Sequence, residues 1–427
     1  MDTIKILIPL HTLPKIQSVT TMGLESIINS LKKKVKVQII WLVYTPEKLK
    51  SLDNSNSNDV ILDIHNYDDA LDVIKKEKPD LIYAYASWNF IDYSFSSAAK
   101  KFNIPVFCIL HAKDPFSTTK TTAKNIKSNF TRFFEMSVPT DQTDDKKILF
   151  KRGRFFLYKY LFLVKTQLKL KTSFDNILTI WKYVISDTNN SKFGNNIFQF
   201  LENSELFETQ IQSGFKKSNL FITGNSMYDK LFKKFSENKI KHNEFTNVLF
   251  IPSTLYEHGF WTLKQRNFVL KEIATQINQN STLNLSVKIH PSSSNFTDYS
   301  SVIHSINPSI QIFQKGSVEE FLHDVDVVIS SQSSTAEVYA LLANKRIVIC
   351  DFFNSEYDDL FVKKGIAISC KNPSDIISSI NKAKILPSYE ENRKKFIDDF
   401  LFKWDGKSSE RISNHLLEIL ENYKSNL

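Results

Sequence analysis

The chain contains no G-x-G-x-x-G loop, and glycine is scarce, at nine of 427 residues. That excludes a dinucleotide fingerprint, and any fold reading has to rest on the rhythm of apolar runs. The three cysteines, Cys108, Cys350 and Cys370, sit in or beside apolar runs without C-x-x-C spacing. That argues against a disulfide framework and against a zinc site, and leaves all three as core residues. No apolar run approaches the roughly 20 residues that cross a bilayer. Met1-Asp2-Thr3 leads straight into Ile4–Pro9 without the basic, apolar and small-residue order of a secretory leader. The expectation is a cytoplasmic protein, with peripheral attachment at the inner face of the cell membrane as its variant.

Apolar residues make up 42% and charged residues 24% of the chain, so packed cores are attainable and disorder is not expected. The length suits two domains of roughly 200 residues each. The net charge of +9 is concentrated: between Lys113 and Lys182 fifteen Lys or Arg face six Asp or Glu. Such a pattern points to one basic surface that meets an acidic partner.

Over residues 1–112, apolar runs at Ile4–Pro9, Val35–Val43, Val60–Ile64, Leu81–Tyr85 and Ile104–Leu110 alternate with helical spacing at Thr20–Leu31, Tyr67–Lys76 and Asn89–Phe102. Strands that are apolar throughout and separated by helices imply a parallel sheet covered on both faces. Residues 113–200 break the rhythm and read as a basic, aromatic-rich insertion. A second series follows at Leu220–Ile222, Val248–Ile251, Leu285–Ile289, Ile310–Phe313, Val325–Ser330 and Arg346–Cys350, with Gly365–Cys370 as an edge. The expected organisation is one domain over 1–203, a second over 204–385 and C-terminal helices over 386–427 that cross back to the first domain. The fold class is α/β, two Rossmann-like domains facing across a cleft.

Two segments carry the chemistry. Lys288-Ile289-His290-Pro291-Ser292 ends one strand, and Ser330-Ser331-Gln332-Ser333-Ser334-Thr335-Ala336-Glu337 joins another to a helix. In a parallel sheet both emerge at the C-terminal edge, where ligands bind. Hydroxyls and unsatisfied N–H groups at the helix start favour a phosphate, and the helix dipole adds to this. His290 can donate a hydrogen bond to that phosphate or protonate it on departure. Each segment also has a plain structural use: Ser333, Ser334 and Thr335 are ordinary N-cap residues, and a proline after a strand simply ends it.

The order V-K-I-H-P (287–291), then D-V-V-I-S-S-Q-S-S-T-A-E-V-Y-A-L-L-A-N-K-R-I-V-I-C-D (326–351), resembles the C-terminal domain of GT-B enzymes that make cell-surface glycans. These include bacterial sialyl- and polysialyltransferases, capsule Kdo transferases and teichoic-acid glycerophosphotransferases. The resemblance implies that His290 with Ser333, Ser334 and Thr335 binds the donor phosphate, and that Glu337 lies against the donor ribose or sugar. Phe221–Asp229 looks like the T-G-N-P-x-x-D segment that opens the second domain in that fold. Asp405-Gly406-Lys407-Ser408-Ser409-Glu410-Arg411 resembles the D-G-K-A-S-E-R ending of the surface-glycan members. Gly224 and Asn225 of the first stretch, and Ser253 and Thr254 after strand Val248–Ile251, join the nucleotide or sugar candidates. The pairing of H-P with S-S/T tilts the donor toward CMP or CDP over UDP. Such relatives generally need no metal; apart from Asp324-Val325-Asp326 no D-x-D marks a strand end here, and no metal or cofactor beyond the nucleotide-sugar is expected. The resemblance covers about 204–415 and reaches 1–112 only as a fold pattern.

The base that activates an acceptor hydroxyl is left open among Glu257, His258, His11, Asp92, His111 and Asp114. Tyr256-Glu257-His258-Gly259 matches the acidic motif of sialyltransferases poorly, because His258 stands where the second acid belongs. Segment 146–171 interleaves Lys and Arg with Phe, Leu and Tyr, as interfacial helices do. It suits an anionic membrane surface and a glycan or lipid-linked acceptor, or a helix packed into the first domain. No nucleic-acid-binding motif accompanies it. The function expected is transfer of a sugar or related group from a nucleotide donor to a surface glycan or glycolipid. The alternatives are a 2-epimerase of nucleotide sugars, against which the missing D-S-G-G-x-x-E-E pattern speaks, and a non-catalytic nucleotide or glycan binder.

Overall fold

The computed structural model describes residues 3–9, 19–43, 59–84, 90–110, 157–168, 196–236, 245–257, 261–290, 296–331, 335–353 and 360–425, without the side chains of 19–22 and 335. The chain forms two compact units. One holds residues 1–112, 118–229 and 401–427, and the other 113–117 and 230–400.

The first unit is built on seven parallel strands: β1 (Ile4–Pro9), β2 (Val37–Val43), β3 (Val60–Asp63), β4 (Leu81–Tyr83), β5 (Val106–Leu110), β6 (Ile197–Leu201) and β7 (Leu220–Ile222), in the order β3-β2-β1-β4-β5-β6-β7. Period-2 alternation sorts the β1 side chains between two cores. Ile4, Ile6 and Ile8 pack with Leu24, Ile27 and Leu31 of α1 (Val19–Lys32), whereas Leu7 joins the opposite core. That second core takes Leu71 and Ile74 of α2 (Ala70–Glu77), Ile91 and Phe95 of α3 (Phe90–Lys101), and Phe162 of α4, the helix at 157–168. Caps explain the boundaries. The Asp69 carboxylate accepts from the N–H groups of Leu71 and Asp72 and starts α2 three residues after Tyr67; Lys78 at φ 49 stops it before Pro79. Asn203 caps α5 (Ser204–Gln212) in the same way.

The second unit begins in α6 (Asp229–Ser236) and repeats the winding with six parallel strands: β8 (Thr246–Ile251), β9 (Leu283–Lys288), β10 (Gln311–Phe313), β11 (Val327–Ser330), β12 (Arg346–Cys350) and β13 (Ile368–Cys370), in the order β10-β9-β8-β11-β12-β13. Its covering helices include α7 (Leu263–Asn278), started by a reciprocal Thr262–Gln265 capping box, α8 (Phe296–His304), α9 (Thr335–Leu342) and α10 (Ile376–Lys384). Two Rossmann-like units of parallel sheet and flanking helices make up the expected GT-B architecture.

The chain is divided differently from the sequence-based boundaries. Leu220–Ile222 was expected to open the second domain, yet β7 pairs with β6 through Gln199↔Leu220 and Leu201↔Ile222, so the first unit runs on to Asp229 instead of ending at residue 203. β6 itself lies at the end of the segment expected to be an insertion; it is hydrogen-bonded to β5 along Val106–Leu110. Of the C-terminal helices, α11 (Tyr389–Leu401) belongs to the second unit up to Phe400, and α12 (Ser408–Ser425) to the first. Ile412, Leu416, Ile419 and Leu420 of α12 are buried in the same core as Ile4, Ile6 and α1. Each such side chain contributes about 1.5–3 kcal/mol by leaving water.

Candidate functional site

In the second sheet β8, β9 and β10 run outward in one direction, and the chain then crosses back to lay β11 on the other side of β8. The order reverses between β8 and β11, which is where an open parallel sheet offers a crevice at its C-terminal edge. At that point the Ser331 hydroxyl accepts from the N–H of Ser253 at 3.0 Å and donates to Ser253 Oγ at 3.2 Å. Ser331 is buried and Ser253 half-buried. The two strand ends are thus stitched by hydroxyls at the mouth of the crevice, with half-buried Thr254 in the turn that follows.

The register places His290 at the same edge. Phe250 of β8 is level with Val287 of β9, and both chains leave the sheet within the next residue, so Ser253 and His290 follow strand ends on the same edge. His290 is exposed, directly after Ile289, whose N–H is bonded to Phe313 O at 2.7 Å. Beneath it Lys288 is buried and donates to Ile289 O at 2.9 Å and Gln314 O at 2.8 Å, tying the ends of β9 and β10 together. Burial lowers the Lys288 pKa, against the pull of Glu320. One strand lies between β9 and β11, so these two strands run about 10 Å apart by strand spacing. The helix that follows β11, α9, carries Glu337 in its first turn, fully buried. Ser333 and Ser334 lie outside the described residues, as does the side chain of Thr335.

Sequence reasoning named Glu257 but missed the residues that hold its loop, Tyr299 and Arg266. Tyr299 of α8 donates to Glu257 Oε1 at 2.6 Å, and the buried Arg266 guanidinium lies 4.8 Å from the Tyr256 ring centroid and 4.5 Å from that of Tyr299. A cation held between two aromatic faces fixes the loop that carries Glu257. Partners 42 residues apart in sequence gave no local signal for this clamp. His258 lies outside the described residues.

In the first sheet the order reverses between β1 and β4. His11, His111 and Asp114 lie outside the described residues. Asp92 is described: it stands in the first turn of α3, just after β4, and is buried. Lys159 of α4 is buried too, which pushes its pKa down to about 8 although the charge of Asp92 opposes the shift. Lys159 is turned inward, as in a helix packed into the first unit.

Gly224 and Asn225 form a joint within the first unit. The Asn225 side chain accepts from Met227 N at 2.9 Å and donates to Glu202 Oε1 at 3.2 Å. Gly224 has φ +78, and a Cβ there would stand 2.7 Å from Ser408 Oγ. Arg411 donates to Thr223 O at 2.8 Å and makes a salt bridge to Asp405, while Asp229 accepts from the N–H groups of Ser408 and Ser409 at 3.0 and 2.7 Å. The T-G-N and D-G-K stretches, about 180 residues apart, therefore meet in one polar lock in which Asp229 caps α12.

No protein-family model and no curated protein matches the chain. Solved structures do match in fold. An S. aureus MnaA–UDP complex has a TM-score of 0.54 at 14% identity, covering 99% of this chain and 97% of that one. The UDP-GlcNAc 2-epimerase from Neisseria meningitidis bound to UDP-GlcNAc has a TM-score of 0.52 at 14% identity, covering 97% and 100%. The calicheamicin glycosyltransferase CalG4 has 0.54 at 10% identity, covering 99% of both chains. At such identities the likeness is one of fold, shared by epimerases and transferases alike.

Proposed function

We propose that the protein transfers a sugar, or a related group, from a nucleotide-activated donor to a cell-surface glycan or glycolipid. The observation that supports this reading is the second sheet's reversal point, with Ser253 and Ser331 bonded across it and His290 two residues past the end of β9 on the same edge. An acceptor hydroxyl attacks the anomeric carbon as the bond from that carbon to the donor phosphate oxygen breaks. The hydroxyl proton passes to a base, and the phosphate leaves with the bonding pair. His290 hydrogen-bonds or protonates the leaving phosphate, and Ser333, Ser334 and Thr335 at the α9 start receive its charge. Glu337 lies by the donor ribose or sugar, and Ser253 and Thr254 line the crevice. The base comes from Glu257, His258, His11, Asp92, His111 and Asp114; among the described residues Glu257, fixed by Tyr299, and Asp92, beside Lys159, have the most constrained surroundings. The reaction takes place in the cytoplasm, at the inner face of the membrane when the acceptor is lipid-linked.

The motif resemblance favours a CMP or CDP donor, whereas two of the solved neighbours are described with uridine nucleotides. Thermal-shift measurements against CMP, CDP, UDP, GDP and ADP separate these. A nucleotide at 100 times its Kd stabilises the fold by about 2.7 kcal/mol. One nucleotide should stabilise the wild type and not a folded His290→Ala variant. If none does so, the donor-site reading fails. Epimerisation of a nucleotide-sugar without any acceptor would replace transfer by isomerisation. Tight nucleotide binding without turnover across an acceptor panel would leave a binding protein.

A further inference from the structure

Helix α4 is amphipathic in the wrong sense for a surface helix of a water-soluble unit. Leu157, Leu161 and Leu168 are 53%, 47% and 70% exposed and fall within about 40° of one another around the axis, with half-buried Val164 between them. Lys159 and Thr166 lie on the opposite side, 3% and 0% exposed. The inward polar groups have partners: Thr166 Oγ1 accepts from Ala70 N at 3.3 Å, Gln167 donates to Ser97 Oγ at 3.1 Å, and Lys159 feels the charge of Asp92. Phe162 anchors the helix in the core shared with α2 and α3. The leucine stripe therefore faces outward because the opposite face is committed to the first unit.

The charge around this stripe selects its occupant. Residues 146–174 hold nine Lys or Arg and no acidic residue. Lys165 is exposed on the described helix beside the stripe. Arg154, Lys169 and Lys171 lie within three residues of the helix in the sequence. Exposed leucines on a segment whose only charges are basic fit the boundary between acyl chains and acidic headgroups. A second copy of the chain fits less well, since a two-fold contact through the stripe would bring like-charged flanks together. We propose that the Leu157, Leu161 and Leu168 face of α4 docks on an anionic lipid bilayer. Its biological use, to bring the site to a lipid-linked acceptor, rests on the transferase reading.

The test is co-sedimentation of the full chain with vesicles of phosphatidylglycerol and phosphatidylcholine, and of phosphatidylcholine alone, at low and high salt. The wild type should bind the anionic vesicles, and added salt should weaken binding. Leu157→Gln/Leu161→Gln/Leu168→Gln should lower partitioning at least about tenfold with an unchanged melting temperature. Should that variant lose stability, Leu168→Glu, at the most exposed position, should change binding in the same direction. Equal binding by wild type and variants, or no binding of the wild type to anionic vesicles, overturns the proposal. So does a wild-type dimer that the triple variant converts to monomer, which would make a second copy the occupant. The assay contains neither nucleotide nor acceptor, so its outcome is independent of whether the transferase reading holds.

Discussion

The two sheets are wound in the same order, and the second reproduces the first strand for strand up to β6. They differ in what stands at the reversal point. In the second sheet that edge is polar and cross-linked: Ser331 bonded to Ser253, Lys288 bridging two carbonyls, Glu257 held by Tyr299. In the first sheet the described chemistry is a buried acid near a buried lysine, and one of its two cores is completed by α12 from the far end of the chain. The same winding thus serves two ends. One copy's strand ends carry polar cross-links, and the other copy's core is completed by long-range contacts.

Four substitutions sharpen this contrast. Leu416→Ala removes a fully buried side chain from the core shared by α1 and α12, and should cost about 3 kcal/mol in urea unfolding. Lys159 gives a pH signature. Its folded pKa, about 8, lies below the ordinary 10.5, so between these values the unfolded chain binds more protons and stability rises with pH. The full effect is up to about 3 kcal/mol. The difference between wild type and Lys159→Met, followed by denaturation from pH 7 to 10.5, should show that slope; parallel curves would contradict it. Asp229→Ala deletes the acceptor for two N–H groups at the start of α12 and should cost about 2 kcal/mol, visible as a lower melting temperature. Ser331→Ala, in the other unit, should cost only about 1 kcal/mol, yet reduce whatever nucleotide-induced shift the wild type shows.

Periodicity made most of the fold legible, since strands buried on both faces read as continuous apolar runs. β6 escaped because Ile-Phe-Gln-Phe-Leu closes a segment that reads as a basic, aromatic-rich insertion, and β7 was given to the wrong sheet because three apolar residues carry no mark of the edge they join. At the site, the strand-end positions of His290 and Ser331 were legible from where apolar runs stop. The Ser331 contact with Ser253 was not, because register across a reversal point depends on which strands become neighbours. Arg266 and Lys159 were invisible for a related reason: burial of a cation is decided by partners from other elements, here two tyrosines and an aspartate. The T-G-N and D-G-K stretches were seen as separate motifs, and only the fold makes them halves of one lock.

That lock sets a schedule for synthesis. Because Asp229 waits for Ser408 and Ser409, and the core around Ile4 and Ile6 waits for Leu416 and Leu420, the unit translated first is the one that must finish last. While the ribosome makes residues 230–400, one face of the first sheet has α1 but lacks the second helix of its core, α12. A nascent chain of this protein should accordingly need shielding for longer than one whose domains close in the order they are made.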